Sequence, residues 1–213
     1  MRKNSLILAL LTGIALSGTA QATLINRGGG MIYDVDRNIT WLADANYAFT
    51  SGYDDDGAML WLDAMDWAAN LNYGGYTNWR LPTALDQDGS GPSCNDFNCS
   101  DSEMGHLFYG ELGGVAGQSI LSSSDPDLAM FLNIQDDFYW SSTVNALSPD
   151  QAWYFAMPYG HQGVAKPSTY FAWAVRDGDV ATVPEPATLV LLGLSMAGLG
   201  VMRRLGWCGT SSR

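Results

Sequence analysis

Phe138-Tyr139-Trp140-Ser141-Ser142-Thr143-Val144, Gln151-Ala152-Trp153-Tyr154-Phe155-Ala156-Met157 and Tyr170-Phe171-Ala172-Trp173-Ala174-Val175-Arg176 are aromatic-rich runs parted by Pro, Gly, Asn and Asp. Aromatic and β-branched side chains fit a pleated, half-buried surface, and the intervening residues favour turns, so these runs predict strands. Upstream, Ser100-Asp101-Ser102-Glu103 has the spacing of a capping box, a Ser followed three residues on by Glu. Met104, Leu107, Phe108 and Leu112 behind it predict a helix stopped by Gly113-Gly114.

Further upstream, Leu60, Ala64, Trp67, Ala68 and Leu71 recur at helical spacing, with Asp63, Asp66 and Asn70 on another face. This predicts an amphipathic helix ending at Asn72, with an Asp of the 51–57 loop as its N-cap. Met31–Asp34 and Ile39–Leu42 predict a hairpin turning at Asp36-Arg37-Asn38. Two early helices with strands around them predict an α+β domain with an antiparallel sheet. Six tryptophans fall in these elements: Trp61, Trp67, Trp79, Trp140, Trp153 and Trp173. They are read as core filling, with a sugar-stacking platform as the alternative use.

Neither end of the chain belongs to that domain. Arg2 and Lys3 precede an apolar run from Leu6 to Leu16, and Ala20-Gln21-Ala22 follows. This is the order of a secretory signal peptide over residues 1–22, with cleavage by signal peptidase after Ala22. At the other end, Val183-Pro184-Glu185-Pro186 leads into an apolar stretch of 16 residues, Ala187 to Met202, and then Arg203-Arg204. As a helix the apolar stretch is about 24 Å long, a marginal transmembrane span whose arginines would stay in the cytoplasm. A short tail, residues 208–213, ends the chain.

Between the two ends, residues 23–182 make one domain of ordinary size. Its 5 basic side chains face 21 acidic ones, a net charge of −16 against −12 for the whole chain. Such a surface repels nucleic acid and anionic lipid, so nucleic-acid binding is excluded. Cys94 and Cys99 are the domain's two cysteines. In an oxidising compartment a disulfide is the default; metal ligation is the rival, with no second cysteine pair and only two histidines on hand to complete a zinc site.

Pro-Glu-Pro at 184–186, the apolar helix and the basic pair, in that order, resemble the PEP-CTERM sorting signal of Gram-negative bacteria over residues 183–207. The resemblance implies recognition by an exosortase, cleavage near Pro184, Glu185 and Pro186, and delivery through an inner-membrane intermediate to the cell surface. Such proteins accompany exopolysaccharide production.

Within the domain, Asn78-Trp79-Arg80-Leu81-Pro82-Thr83, Glu103-Met104-Gly105-His106-Leu107, Tyr139-Trp140-Ser141-Ser142-Thr143, Ala152-Trp153-Tyr154-Phe155 and Trp173-Ala174-Val175-Arg176-Asp177-Gly178 form an ordered set. The set resembles the Lcl C-terminal domain family, which implies a fold related to C-type lectins and formylglycine-generating enzymes and an adhesin-like, glycan-binding use. The reactive cysteine pair of the formylglycine-generating relatives lies late in their domain, whereas Cys94 and Cys99 lie mid-chain, so that activity does not carry over. Arg80, set between Trp79 and Leu81-Pro82, is read as a structural fork of donors to a carboxylate or to backbone carbonyls. Arg176 is read the same way, against Asp177 or Glu103.

Asp86-x-Asp88-x-Ser90-Gly91 matches the first half of an EF-hand calcium loop, but the twelfth position is Phe97 instead of Glu. Asp86, Asp88, Ser90 and Asp96 are therefore candidate Ca2+ ligands, and an ordinary acidic surface loop is the alternative. No Gly-x-Ser-x-Gly elbow is present, and His106 and His161 stand apart from any nucleophile, so no catalytic residue is assigned. The sequence predicts a non-enzymatic surface or matrix module that binds extracellular polysaccharide. The alternatives are a polysaccharide-acting enzyme using a carboxylate pair and a purely structural matrix protein. At −16, a neutral or amino-containing polysaccharide fits better than a sulfated one.

Overall fold

The computed structural model describes residues 24–92 and 94–180. The expected signal peptide with its Ala22 cleavage point, and the sorting segment with Pro184, Glu185 and Pro186, lie outside the described residues. No helix among the described residues is long and apolar enough to cross a membrane.

The elements run β1 (Leu24–Gly28), β2 (Met31–Asp34), β3 (Ile39–Leu42), α1 (Tyr47–Thr50), β4 (Ala58–Leu60), α2 (Trp61–Asn70) and α3 (Glu103–His106). A π-helical turn, Leu107–Glu111, and two 3-10 turns, Ile120–Ser122 and Pro126–Met130, follow. Then come β5 (Phe138–Val144), β6 (Ala152–Ala156), β7 (His161–Ala165), β8 (Thr169–Phe171) and β9 (Val175–Asp177). The α+β class expected from the sequence holds.

The strands divide into two sheets, ordered β1-β2-β3-β9 and β4-β8-β5-β6-β7, instead of the expected single antiparallel sheet. Most pairings are antiparallel, but β5 meets β8 in parallel at Tyr139 and Phe171. The expected hairpin forms, pairing Met31 with Leu42 and Asp34 with Ile39. Its turn ends on Asn38, whose positive φ of 52° Asn tolerates better than most residues.

The third aromatic run, read as one strand, breaks in two. Tyr170 and Phe171 join one sheet, and Val175 and Arg176 join the other. Ala172, Trp173 and Ala174 between them are completely buried. One run therefore stitches both sheets to the common core, which periodicity along a single run does not reveal.

Both expected helix starts are displaced. α2 begins directly after β4 with Leu60 at its N-cap and no side-chain cap, so no Asp of the 51–57 loop serves it. Asp54 accepts from Gly57 N instead, closing the loop on itself. At α3 the cap is Ser102, whose hydroxyl accepts from Gly105 N, and Ser100 is not used. Glu103 is drawn away from capping by a stronger partner, the Arg80 guanidinium.

The tryptophans are mostly core. Trp41, Trp67, Trp79, Trp140, Trp153 and Trp173 are buried, and Trp61 is half-buried. Trp41 and Trp173 meet edge to face at 5.3 Å between centroids. The Trp173 and Trp140 indole N–H groups donate to Leu42 O at 2.7 Å and Met59 O at 2.9 Å, so both rings bury without leaving a donor unpaired. Truncating a ring so placed costs about 3–5 kcal/mol.

Candidate functional site

Arg80 is the hub of the predicted motif. Its backbone N–H and C=O exchange hydrogen bonds of 2.8 Å with Val175, fastening residue 80 to the β9 edge. Its guanidinium donates to both Glu103 carboxylate oxygens at 2.8 and 2.7 Å and to Asp177 at 2.5 Å. Glu103 also accepts from Thr83 N at 2.7 Å. Against the opposing pull of burial, the hydrogen bonds that Arg80 donates to the two carboxylates hold its charge even more firmly than usual. Arg176 does not share these acids. It donates to Asn78 Oδ1 and to Asp179 O, and its guanidinium lies 4.2 Å from the Tyr76 ring centre. Trp79, Leu81 and Pro82 are buried beside this network. Asn78 and Asp177 are exposed while Arg80 and Glu103 are half-buried, and the bonds among them fasten the 78–83 segment to β9 and to the start of α3.

The loop after Pro82 is shaped by its own acids. Asp88 accepts from Ser90 N at 2.8 Å, and Asp86 from the Ser90 hydroxyl at 3.2 Å. Asp86 N donates to Gly91 O at 2.7 Å. Asp96 turns to Phe97 N, and its carbonyl accepts from Gln162 N. Cys94 and Cys99 are joined by a disulfide. Buried Gln162 donates to Cys94 O at 2.9 Å, tying the disulfide loop to β7. Asp86, Asp88 and Asp96 are not a set with converging ligand atoms among the described residues.

One open groove combines apolar and charged walls. It encloses about 370 Å³, within the size range of small-molecule pockets. Trp61, Leu60 and Leu62 at the start of α2 line one side; Pro149, Asp150, Lys166 and Pro167 from the β5–β6 and β7–β8 connections line the other. The Trp61 indole N–H donates to Ser141 O at 2.8 Å, which fixes the ring orientation. Leu60 and Leu62 are exposed, as are Asp63, Asp150 and Lys166. A half-buried, hydrogen-bonded indole beside two carboxylates and an ammonium can stack on a sugar face while polar groups meet its hydroxyls.

A second cluster lies inside the fold. Asp34 at the end of β2 is completely buried, and Glu111 closes the π-helical turn, also buried. His106 Nε2 lies 3.0 Å from Glu111 Oε1 and 3.8 Å from Asp34 Oδ2. Asp34 Oδ1 accepts from Arg37 N at 2.9 Å and the Trp41 indole bears on the same carboxylate, while Asp34 Oδ2, Trp41 Nε1 and His106 Nε2 make no full hydrogen bond. Burial pushes the Asp34 carboxyl above its ordinary range. His106 and Glu111 are five residues apart, a separation that an α-helix places on different faces. The π turn, with Leu112 N bonded to Leu107 O at 2.9 Å, brings them to the same face. Nothing in the sequence marks that turn, so His106 reads there as a solitary residue.

His161 packs edge-on to Phe97 at 5.2 Å between ring centres and near Tyr154, and no carboxylate joins it. Comparison with known proteins completes the picture. The family model of the Lcl C-terminal domain matches residues 30–176, and that of the PEP-CTERM protein-sorting motif matches residues 182–204. No curated protein and no solved structure matches the chain. The sorting motif marks a protein exported through the membrane and processed by an exosortase for the cell surface of a Gram-negative bacterium.

Proposed function

We propose that this chain, which belongs to the Lcl C-terminal domain family, is a non-enzymatic surface module that binds a neutral or amino-containing extracellular polysaccharide in the Trp61 groove. The observation that carries this reading is Trp61 itself. It is the one domain tryptophan not packed away, and it lines an open groove with Asp63, Asp150 and Lys166 at hand. The expected kinship with lectin-like folds and the sorting to the cell surface support the same reading.

Charge selects among polysaccharides. A domain carrying −16 repels sulfated chains, while Asp63 and Asp150 suit hydroxyl-rich or amino sugars. Glycan-array binding by the exported protein, with and without Ca2+, tests the proposal. Selective binding to neutral or amino sugars that Trp61→Ala abolishes supports it. Flat binding across the array overturns it and leaves a purely structural matrix protein; selective binding indifferent to Trp61→Ala overturns the groove as the site.

A further inference from the structure

We propose that Asp34, His106 and Glu111 form a binding site for one divalent first-row transition ion, with Zn2+ the best-fitting member, which clamps the β2–β3 hairpin to the α3–π segment. Nothing in the groove reading requires this site. Among the described residues these three are the one group of acidic, thiol or imidazole side chains whose ligand atoms all lie within 4.8 Å of one another.

Two observations point to a cation instead of a self-sufficient hydrogen-bonded triad. Asp34 is wholly buried, and its Oδ2 makes no full hydrogen bond, the neutral Trp41 indole being the one donor that bears on it. His106 Nε2 stands 3.0 Å from Glu111 Oε1 without meeting full hydrogen-bond geometry, a placement in which one ion can be shared between the two atoms. Buried polar atoms rarely stay unpaired, and an ion accepting their lone pairs removes both exceptions at once.

The spacing suits the ion. Ligand atoms each about 2.0–2.1 Å from a tetrahedral centre stand roughly 3.3 Å apart. The observed separations of 3.0 and 3.8 Å bracket that value. Charge agrees too, since two ionised carboxylates and a neutral imidazole carry −2, which one divalent ion cancels. The donor set of one imidazole nitrogen and two carboxylate oxygens favours Zn2+ and its transition-metal neighbours over Ca2+, which prefers an all-oxygen shell of six to eight ligands.

The architecture is consistent with a clamp. Asp34 comes from the end of a strand and the other two from one helical segment, separated by about 70 residues of chain. The π turn, a rare conformation often found at functional sites, is what turns Glu111 towards His106. Asp34 and Glu111 are buried and His106 is half-buried, so the ion would sit within the fold and not on its surface.

The test uses the exported protein stripped with chelator and dialysed against excess Ca2+ and Mg2+, so that the exposed acids are occupied. Zn2+ is then titrated calorimetrically, and bound zinc is counted after gel filtration. One zinc per chain, a raised thermal midpoint and an intense tetrahedral Co2+ visible spectrum are expected. Asp34→Asn, His106→Gln and Glu111→Gln, each near in size to the native residue, should each lose the bound zinc and the cobalt spectrum. If the parent protein takes up no zinc, or if folded variants bind it as the parent does, the proposal fails. A variant that does not fold leaves the parent stoichiometry and cobalt spectrum to decide. Glycan binding scored on the same samples is expected to be independent of zinc, which separates this site from the groove.

Discussion

Arg80 and Glu103 meet through two parallel hydrogen bonds, 2.8 and 2.7 Å long, that join the strand-like 78–83 segment to the start of α3. Planar guanidinium and planar carboxylate match in geometry, and Glu103 is additionally held by Thr83 N. The pair is largely shielded from water, with side-chain exposures of 28% and 13%. Removing one partner therefore leaves a poorly solvated charge behind. Glu103→Ala should lower unfolding free energy by about 2–4 kcal/mol in urea denaturation. Arg80→Lys should recover little of the stability lost in Arg80→Ala, because an ammonium cannot span Glu103 and Asp177 as a fork does.

Trp61→Ala should weaken polysaccharide binding about tenfold or more, equivalent to about 1.4 kcal/mol, while shifting the thermal midpoint only slightly. Trp173→Ala, at a completely buried ring, should do the reverse and destabilise the fold by about 3–5 kcal/mol. Titration calorimetry and thermal melts on the two variants distinguish these roles.

Burial pushes the Tyr139 phenol well above its ordinary 10.0, and Tyr73, Tyr109 and Tyr154 shift the same way. A phenol whose folded value is raised gives stability that is full below the unfolded value and is lost as pH climbs above it. Denaturation midpoints should therefore fall on going from about pH 9 to about pH 11. Tyr139→Phe should flatten that decline, at the expense of the hydrogen bond that Tyr139 Oη accepts from Gln135 N at 2.7 Å.

The disulfide closes a short loop, Cys94 to Cys99. Reduction should cost about 2 kcal/mol or less on the loop-entropy scale and leave the domain folded. Faster amide exchange should appear across the excursion 84–99 and at Gln162, whose side chain holds Cys94 O.

Asp86 and Asp88 spend part of their hydrogen-bonding capacity on Ser90, which shapes the loop without an ion. If Ca2+ occupies the loop as its EF-hand-like spacing suggests, a calcium-dependent rise in thermal midpoint should vanish in Asp86→Ala and Asp88→Ala. An unchanged midpoint in the parent protein ends that reading.

The sequence alone determined whatever depends on neighbours along the chain. It decided export, the sorting tail, the acidic character, the 31–42 hairpin, the α2 helix and the strand texture from Phe138 onward. Each rests on local periodicity, composition or a short ordered motif, and local physics is legible in one dimension. Tertiary structure decided the rest. Glu103 has the spacing of a helix cap, but the Arg80 guanidinium outcompetes that use. The run from Tyr170 to Arg176 reads as one strand, yet burial of Trp173 between two sheets breaks it. His106 stands alone in the sequence because its companions are Asp34, far upstream, and Glu111, at a spacing that only a π turn closes. Such convergence is a property of folded distance, which residue order does not encode locally.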